Sequence, residues 1–157
     1  MPAPAPEPAR HPFAYAIVRV VPHVERGEAI NAGIVLLCRP KQFLGARVVL
    51  DEARLRALDP ACDPAEVRAH LAVIERIAAG DPAGGPIATL SQPERYHWLV
   101  APSSTIIQPS EAHTGLTGDP GATLEHLFRT LVEAPATTDR PPTAVESPPP
   151  TAKEASG

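Results

Sequence analysis

The first part of the chain has the hydrophobic pattern of β-strands. Phe13 to Val21 is rich in aromatic and β-branched residues and ends at Pro22, which is typical of a strand. Ile30 to Cys38 is a nearly continuous apolar run, which favours a central strand covered on both faces. Phe43 to Leu50 predicts a third strand, and the short connections favour an antiparallel meander.

Helical signals follow. Asp51 can cap a short helix over Glu52 to Leu58. A longer helix is predicted from the N-cap at Asp63 to Gly80, because a proline and a capping-box glutamate open it and a glycine can end it. The last helix begins at Asp119, and from Leu124 its apolar residues recur at i, i+3, i+4, i+7 and i+8.

Between these helices the pattern is less regular. Gly80 to Arg95 contains Gly-Gly-Pro and Gln-Pro, so it is interpreted as a loop. Tyr96 to Ala101 and Thr105 to Gln108 are predicted to be two further short strands. The order of elements therefore predicts an α+β fold, with a mainly antiparallel sheet of about five strands and helices packed on one face.

Proline content sets the expected domain limits. The chain has 157 residues and 21 prolines, and the prolines are enriched at both ends. Those ends also carry almost no large apolar side chains, so they cannot bury enough surface to offset the entropy of ordering. Residues 1–11 and 134–157 are expected to be disordered tails, and residues 12–133 a single domain.

Charge and cysteine usage narrow the class of protein. The net charge is −4 and the basic residues are scattered, which makes nucleic acid a poor default partner. Neither a signal peptide nor an apolar run of membrane-spanning length is visible, so a cytoplasmic protein is expected. Cys38 and Cys62 lack the spacing of a zinc site and are interpreted as reduced, structural thiols.

Two polar residues interrupt the apolar strands. Arg19 shares the apolar face of the first strand under period-two alternation, so its guanidinium needs an anionic or carbonyl partner. Glu25 and Glu28 in the following turn are the nearest candidates for an ion pair, and the alternative is that Arg19 binds a carboxylate or phosphate in a pocket. Asn31 and Gly33 interrupt one face of the second strand, where an amide must find hydrogen-bond partners.

Hydroxyl, amide and imidazole groups are concentrated in Tyr96 to Gly118. The set comprises His97, Ser103, Ser104, Gln108, Ser110, Glu111, His113 and Thr114. Serine, histidine and carboxylate are the parts of a nucleophilic triad, but the Gly-x-Ser-x-Gly elbow is missing. A metal site built from the two histidines and Glu111 lacks a supporting ligand spacing. The structural alternative is that these side chains satisfy the backbone of a long turn.

Three stretches resemble a known bacterial family, the domain of unknown function 3037. They are YAIVRVVPHVERGEAINAGIVL (Tyr15 to Leu36), HWLVAPSSTIIQPS (His97 to Ser110) and HTGLT (His113 to Thr117). Ser103 stands where the family often has arginine, which removes one possible anion contact. The resemblance implies no established activity. It implies an accessory or regulatory binding role, because members are often encoded beside kinases similar to the HipA toxin.

The leading hypothesis is a non-catalytic binding module that engages a partner protein, such as a HipA-like kinase, through the sheet edge or the Pro102 to Gly118 loop. The alternative is a small enzyme or anionic-ligand-binding domain in which Arg19 and Arg95 hold an anion while His97 or His113 moves a proton. No cofactor or metal is expected. The candidate binding residues are Arg19, Glu25, Glu28, Asn31, His97, Ser104, His113 and Thr114, so Arg19 to Gly33 and Tyr96 to Gly118 are expected to meet.

Overall fold

The structure is a computed structural model that describes residues 9–103 and 105–133. The described chain forms, in order, β1 (His11–Val20), β2 (Ile30–Cys38), β3 (Phe43–Val48), α1 (Glu52–Leu58), α2 (Pro64–Ala79), α3 (Gln92–Leu99), β4 (Ile107–Pro109), β5 (His113–Thr117) and α4 (Pro120–Leu131). β1 begins one residue before the expected start of the domain. Of the expected tails, residues 1–8 and 134–157 lie outside the described residues.

The five strands form one antiparallel sheet in the order β3-β2-β1-β4, and β5 also pairs with β1. Both β4 and β5 lie on the side of β1 that faces away from β2: Val18 is opposite Pro109 of β4, and Tyr15 is opposite His113 of β5. The predicted α+β fold with an antiparallel sheet of five strands is confirmed. β5 itself was not among the predicted strands, because its Thr-Gly-Leu-Thr pattern resembles a turn.

One face of the sheet carries the larger core. Ala32, Val35 and Leu37 of β2 pack there against α1, α2 and α3. The larger helical side chains in this core are Leu55, Val67, Leu71, Ile77, Tyr96 and Leu99. Each fully buried aliphatic side chain contributes roughly 2 kcal/mol to folding, so this face supplies most of the hydrophobic stabilisation.

The other face is covered by α4. Ile34 and Leu36 of β2 contact Leu124 and Phe128 of this helix in a second cluster. The prediction that all helices pack on one face therefore holds for α1 to α3 but not for α4. The reason lies in β2, whose apolar residues occur on both faces and need a cover on each.

The prediction that Tyr96 to Ala101 forms a strand is wrong. Most of this stretch belongs to helix α3. Ser91 caps this helix: its hydroxyl accepts from the Glu94 N–H, and the Glu94 carboxylate accepts from the Ser91 N–H in a capping box. The box and a proline in the first turn start a helix that continues through the apolar run. The apolar run resembled a strand because a short helix and a short strand have similar composition.

The remaining helix signals match the structure. Asp51, Asp63 and Asp119 each accept a hydrogen bond from the first turn of α1, α2 and α4, respectively. Gly80 ends α2 with φ of 72°, a left-handed conformation that glycine adopts without strain. Within the described residues, no helix is long and apolar enough to cross a membrane.

Both cysteines are free thiols. Cys38 is buried in β2, and Cys62 is partly buried between α1 and α2. Burial raises the pKa of the Cys62 thiol, and the carboxylates of Asp59, Glu66 and Asp63 act in the same direction. The thiol of Cys62 therefore stays protonated and a weak nucleophile at neutral pH.

Candidate functional site

β4 and β5 together form one margin of the sheet. β4 pairs with Val18 to Val20 of β1 and β5 with His11 to Tyr15, and Ser110 bonds to β1 between these two stretches. Its N–H donates to the Ile17 carbonyl at 2.8 Å, and its Oγ accepts from the Ile17 N–H at 2.8 Å. A serine hydroxyl thus replaces the backbone acceptor that a regular ladder would supply. The margin is held to β1 along almost its whole length, and we call its β5 part, residues 113–117, the open edge.

The open edge has an accessible outer side. In the described part of the sheet, β1 is the only strand paired with β5. His113 and Thr114 are exposed, and Leu116 is 65% exposed. Residues 114–117 include no proline or charged side chain, although these are the usual devices that stop an edge strand from pairing further.

An aromatic row supports the open edge from the α4 side. The ring of His113 lies 5.2 Å from that of Tyr15, which lies 6.0 Å from that of Phe13. A Cβ built on Gly115 would come within 2.8 Å of the Phe13 ring. A glycine at this position therefore lets the ring lie directly against the strand, which holds β5 flat on β1.

The opposite margin, β3, is protected by side chains from three helices, and we call it the closed edge. Arg47 forms an ion pair with Glu125 of α4, and its guanidinium lies 4.7 Å from the centre of the Phe128 ring. The Val48 N–H donates to Glu75 Oε1 of α2 at 3.0 Å. At the start of β3, Gln92 Nε2 of α3 donates to the Gln42 carbonyl at 2.9 Å.

Arg19 and Asn31 lie opposite each other on the α4 side of the sheet. The β1–β2 register shifts between Val18 and Arg19, so Val18 faces Gly33 while Arg19 faces Asn31. This irregularity separates Asn31 from Gly33, which were predicted to share a face. Asn31 Nδ2 donates to the Leu131 carbonyl at 3.0 Å and fixes the last turn of α4.

The expected ion pair between Arg19 and the following turn is not formed among the described residues. Arg19 Nη2 instead donates to the Pro109 carbonyl at 3.2 Å, and its buried Nε has no hydrogen-bond partner there. Glu28 pairs with Arg26. Glu25 lies 3.6 Å from His23 Nδ1, measured from its Oε1.

His97 lies on the other side of the sheet. It is exposed on α3, whose buried Tyr96 and Leu99 belong to the core with α1 and α2, whereas Arg19 and His113 lie on the α4 side. Ser104 lies outside the described residues. The two predicted halves therefore meet where β4 pairs with Arg19 and Val20 of β1. β5 pairs with His11 to Tyr15 instead, so neither His113 nor His97 is brought to Arg19.

Arg95 does not point into a shared anion site with Arg19. Its side chain is 9% exposed and donates to three backbone carbonyls, Leu90 at 2.9 Å and Ile77 and Ala78 at 2.8 Å each. These acceptors include two carbonyls of the last turn of α2, where a cation is favoured. Arg95 thus joins α2 to α3 and has little capacity left for a ligand.

Sequence reasoning did not single out Leu116 or Trp98, although Leu116 is 65% and Trp98 51% exposed. A signal for Leu116 exists, because Thr114 and Leu116 have the two-residue spacing of one strand face. Within the described residues, no group of three or more histidine, cysteine or acidic residues is placed to hold a metal ion.

Comparison with known proteins gives a family match. A family model described as "Protein of unknown function (DUF3037)" matches residues 15–132. The matched range includes the sheet from Tyr15 of β1 onward and all four helices. No curated protein and no solved structure matches the chain.

Proposed function

The chain belongs to the DUF3037 family of proteins of unknown function, and for this member we propose a role as a non-catalytic protein-binding module. Its open edge takes an extended segment of a partner protein as an additional antiparallel or parallel strand. The observation that carries this proposal is the accessible, uncharged outer side of residues 114–117 beside a closed edge that three helices protect.

Strand addition suits the chemistry of the open edge. Main-chain hydrogen bonds to β5 supply affinity, and alternate side chains supply specificity. On one face the partner strand would meet Leu116 beside Pro12, and on the other it would meet the His113 ring on Tyr15. Five residues give few hydrogen bonds, each worth about 1 kcal/mol net, so side-chain contacts must add to them.

The partner that we propose is a HipA-like kinase, which is the partner that the family resemblance implies. Of the candidate residues, His113 and Thr114 belong directly to the proposed surface. Arg19 would support it indirectly, because its bond to Pro109 holds β4 against β1. The anion-binding alternative needs Arg19 near His97 or His113. His97 lies on the other side of the sheet, and His113 is paired with Tyr15, about 13 Å along β1 from Arg19, so these positions give the alternative no support.

The proposal is tested by adding a charged side chain to the open edge and measuring the affinity for the kinase. Leu116→Lys adds a cation to the solvent face of β5, as natural edge strands do to prevent pairing. We expect it to weaken the complex at least about tenfold, which corresponds to about 1.4 kcal/mol, in titration calorimetry with the purified kinase. Leu90→Lys is the matched control, because Leu90 is also exposed, at 40%, but lies before α3.

Two results would overturn the proposal. One is an absence of complex between the wild-type chain and the kinase at micromolar concentrations. The other is equal weakening by both lysine variants, which would show that added charge rather than the open edge decides binding. Hydrogen exchange of the amides in residues 113–117 should also slow on binding, since strand pairing protects them.

A further inference from the structure

A second surface lies between α2, α3 and β4, away from the open edge. It is a half-open cleft of about 370 Å³ whose walls are mostly apolar. α2 contributes His70 and Ile74, α3 contributes Trp98 and Leu99, and β4 contributes Ile107 and Pro109. Clefts of a few hundred Å³ with apolar walls and a few polar groups are typical binding sites.

The polar groups of the cleft limit what it can bind. Thr105 Oγ1 donates to the Ile107 carbonyl at 2.9 Å and lies 2.9 Å from Ser103 Oγ, so the rim hydroxyls already have partners. Within the described residues, the Trp98 indole N–H makes no hydrogen bond, and the ring is half exposed. The cleft thus offers the Trp98 ring face, its indole N–H and the imidazole of His70, a combination suited to polyproline II segments, whose carbonyls are free.

We propose that the cleft binds a proline-rich segment of this same chain, the Arg-Pro-Pro-Thr stretch around Pro141 and Pro142. The prolines would pack on the Trp98 ring, and a nearby carbonyl would accept from its N–H. A segment with fixed proline φ angles loses little entropy on binding. The proposal concerns a site separate from the open edge and does not depend on the proposed function.

The end of α4 places this segment within reach. The Leu131 carbonyl accepts from Asn31 at 3.0 Å, Asn31 is the register partner of Arg19, and Arg19 bonds to Pro109 on the cleft wall. Measured along the sheet, two strand spacings, about 10 Å, therefore separate the strand at the end of α4 from the strand that borders the cleft. Because α4 and the cleft lie on opposite faces, the segment must also pass around the end of the sheet. The eight residues from Glu133 to Pro141 span about 25 Å as polyproline II, enough to pass the end of the sheet.

The amino-terminal prolines are less well placed. β1 begins at His11 opposite Thr117, and the cleft borders the other end of β1, where Val18 pairs with Pro109. The seven residues between those positions on β1 span about 24 Å. Residues 1–8 would need nearly their full extended length of about 25 Å to reach the cleft.

Trp98 is the only tryptophan in the chain, so its fluorescence reports on the cleft directly. The test compares the full-length chain with two full-length variants, Pro141→Ser/Pro142→Ser and, as matched control, Pro148→Ser/Pro149→Ser/Pro150→Ser. Loss of the segment from the cleft should shift the emission to longer wavelength and raise the acrylamide quenching constant roughly twofold, because one ring face becomes accessible. We expect this only in the Pro141/Pro142 variant.

Other outcomes overturn the proposal. Identical spectra for the wild type and the Pro141/Pro142 variant would mean that these prolines do not contact Trp98. A change confined to the Pro148–Pro150 variant would assign the cleft to a different segment. Protection of Trp98 that grows with protein concentration would mean that a second copy supplies the segment, since binding within one chain is independent of concentration.

Discussion

Both margins of the described sheet leave backbone N–H and C=O groups without a partner strand on one side. They differ in whether helix side chains cover these groups. β3 has six residues and β5 has five, and each has a strand on one side only in the described sheet. At β3, side chains from α2, α3 and α4 reach the margin. At β5, the corresponding contact comes at the strand end, where Thr117 Oγ1 lies 2.5 Å from Thr123 Oγ1 of α4.

The position of the helices explains this difference. α2 and α4 pack on opposite faces of the sheet over β2 and β3, so their polar side chains can fold around that margin. β5 lies two strands away from β2, where α4 reaches it only at the strand end, through Thr123. An edge strand thus becomes closed by tertiary packing rather than by its own sequence, and a strand that the helices leave uncovered keeps its backbone groups available.

The largest expected loss of stability comes from a substitution in β2 that pushes this strand away from the closed edge. A Cβ at Gly33 would lie 2.7 Å from both the Arg47 carbonyl and a Val48 methyl, and a carbonyl in a ladder cannot move aside easily. Gly33→Ala should therefore lower the free energy of unfolding by about 3 kcal/mol. Urea denaturation measures this value.

Gly115→Ala is the matched change at the open edge. The Cβ of an alanine at position 115 would lie 2.8 Å from the outer end of the Phe13 ring. That ring is only partly buried. The ring can tilt, so we expect a loss of about 1 kcal/mol. Equal losses at Gly33 and Gly115 would mean that the backbone at the closed edge yields to an added Cβ as easily as the Phe13 ring beside β5.

The sequence predicts those parts of the fold that have local signals. Strands β1 to β3 carry a mostly apolar, strand-like pattern, and helices α1, α2 and α4 each begin at an Asp or Asp-Pro cap. α3 was missed, although its Ser-x-x-Glu box is visible, because Tyr-His-Trp-Leu-Val outweighed it.

The candidate site was less predictable, because its geometry depends on contacts distant in sequence. The register irregularity at Val18 and Arg19 reverses the face of Asn31, and period-two counting cannot detect it. Closure of β3 depends on Glu75, Gln92 and Glu125, which lie far along the chain from it. Pairing of β5 with β1 joins residues about 100 positions apart, and single-sequence patterns carry no signal for such pairing.

A smaller loss of stability should follow from removing the hydrogen bond between Glu75 and the closed edge. Glu75→Ala deletes the acceptor of the Val48 N–H, and we expect a loss of about 0.5–1 kcal/mol because water can replace the carboxylate. Glu75→Gln keeps an acceptor oxygen and should be nearly neutral. Urea denaturation of both variants checks this, and sedimentation velocity should show self-association only for Glu75→Ala, since only that variant uncovers the N–H.

The smallest effect concerns the pH dependence of the α3 contact with the closed edge. Hydrogen bonds from the Ser91 side chain and the Ser91 N–H hold the pKa of Glu94 below its usual value of 4.5. A depressed folded-state pKa stabilises the fold at pH values above the unfolded pKa, and this contribution disappears as the pH falls through the folded value. The capping box, and with it the position of Gln92 over Gln42, should therefore weaken below about pH 4.5.

Glu94→Gln isolates this contribution from the other carboxylates that titrate in the same range. The amide keeps an acceptor for the Ser91 N–H but cannot ionise, so the variant should be slightly less stable than the wild type at pH 7, and the difference should shrink as the pH falls below 4.5. Urea denaturation at several pH values measures the difference, and exchange of the Ser91 amide reports it locally. A difference that stays constant from pH 7 to pH 3 would show that Glu94 ionisation does not hold α3 against the closed edge.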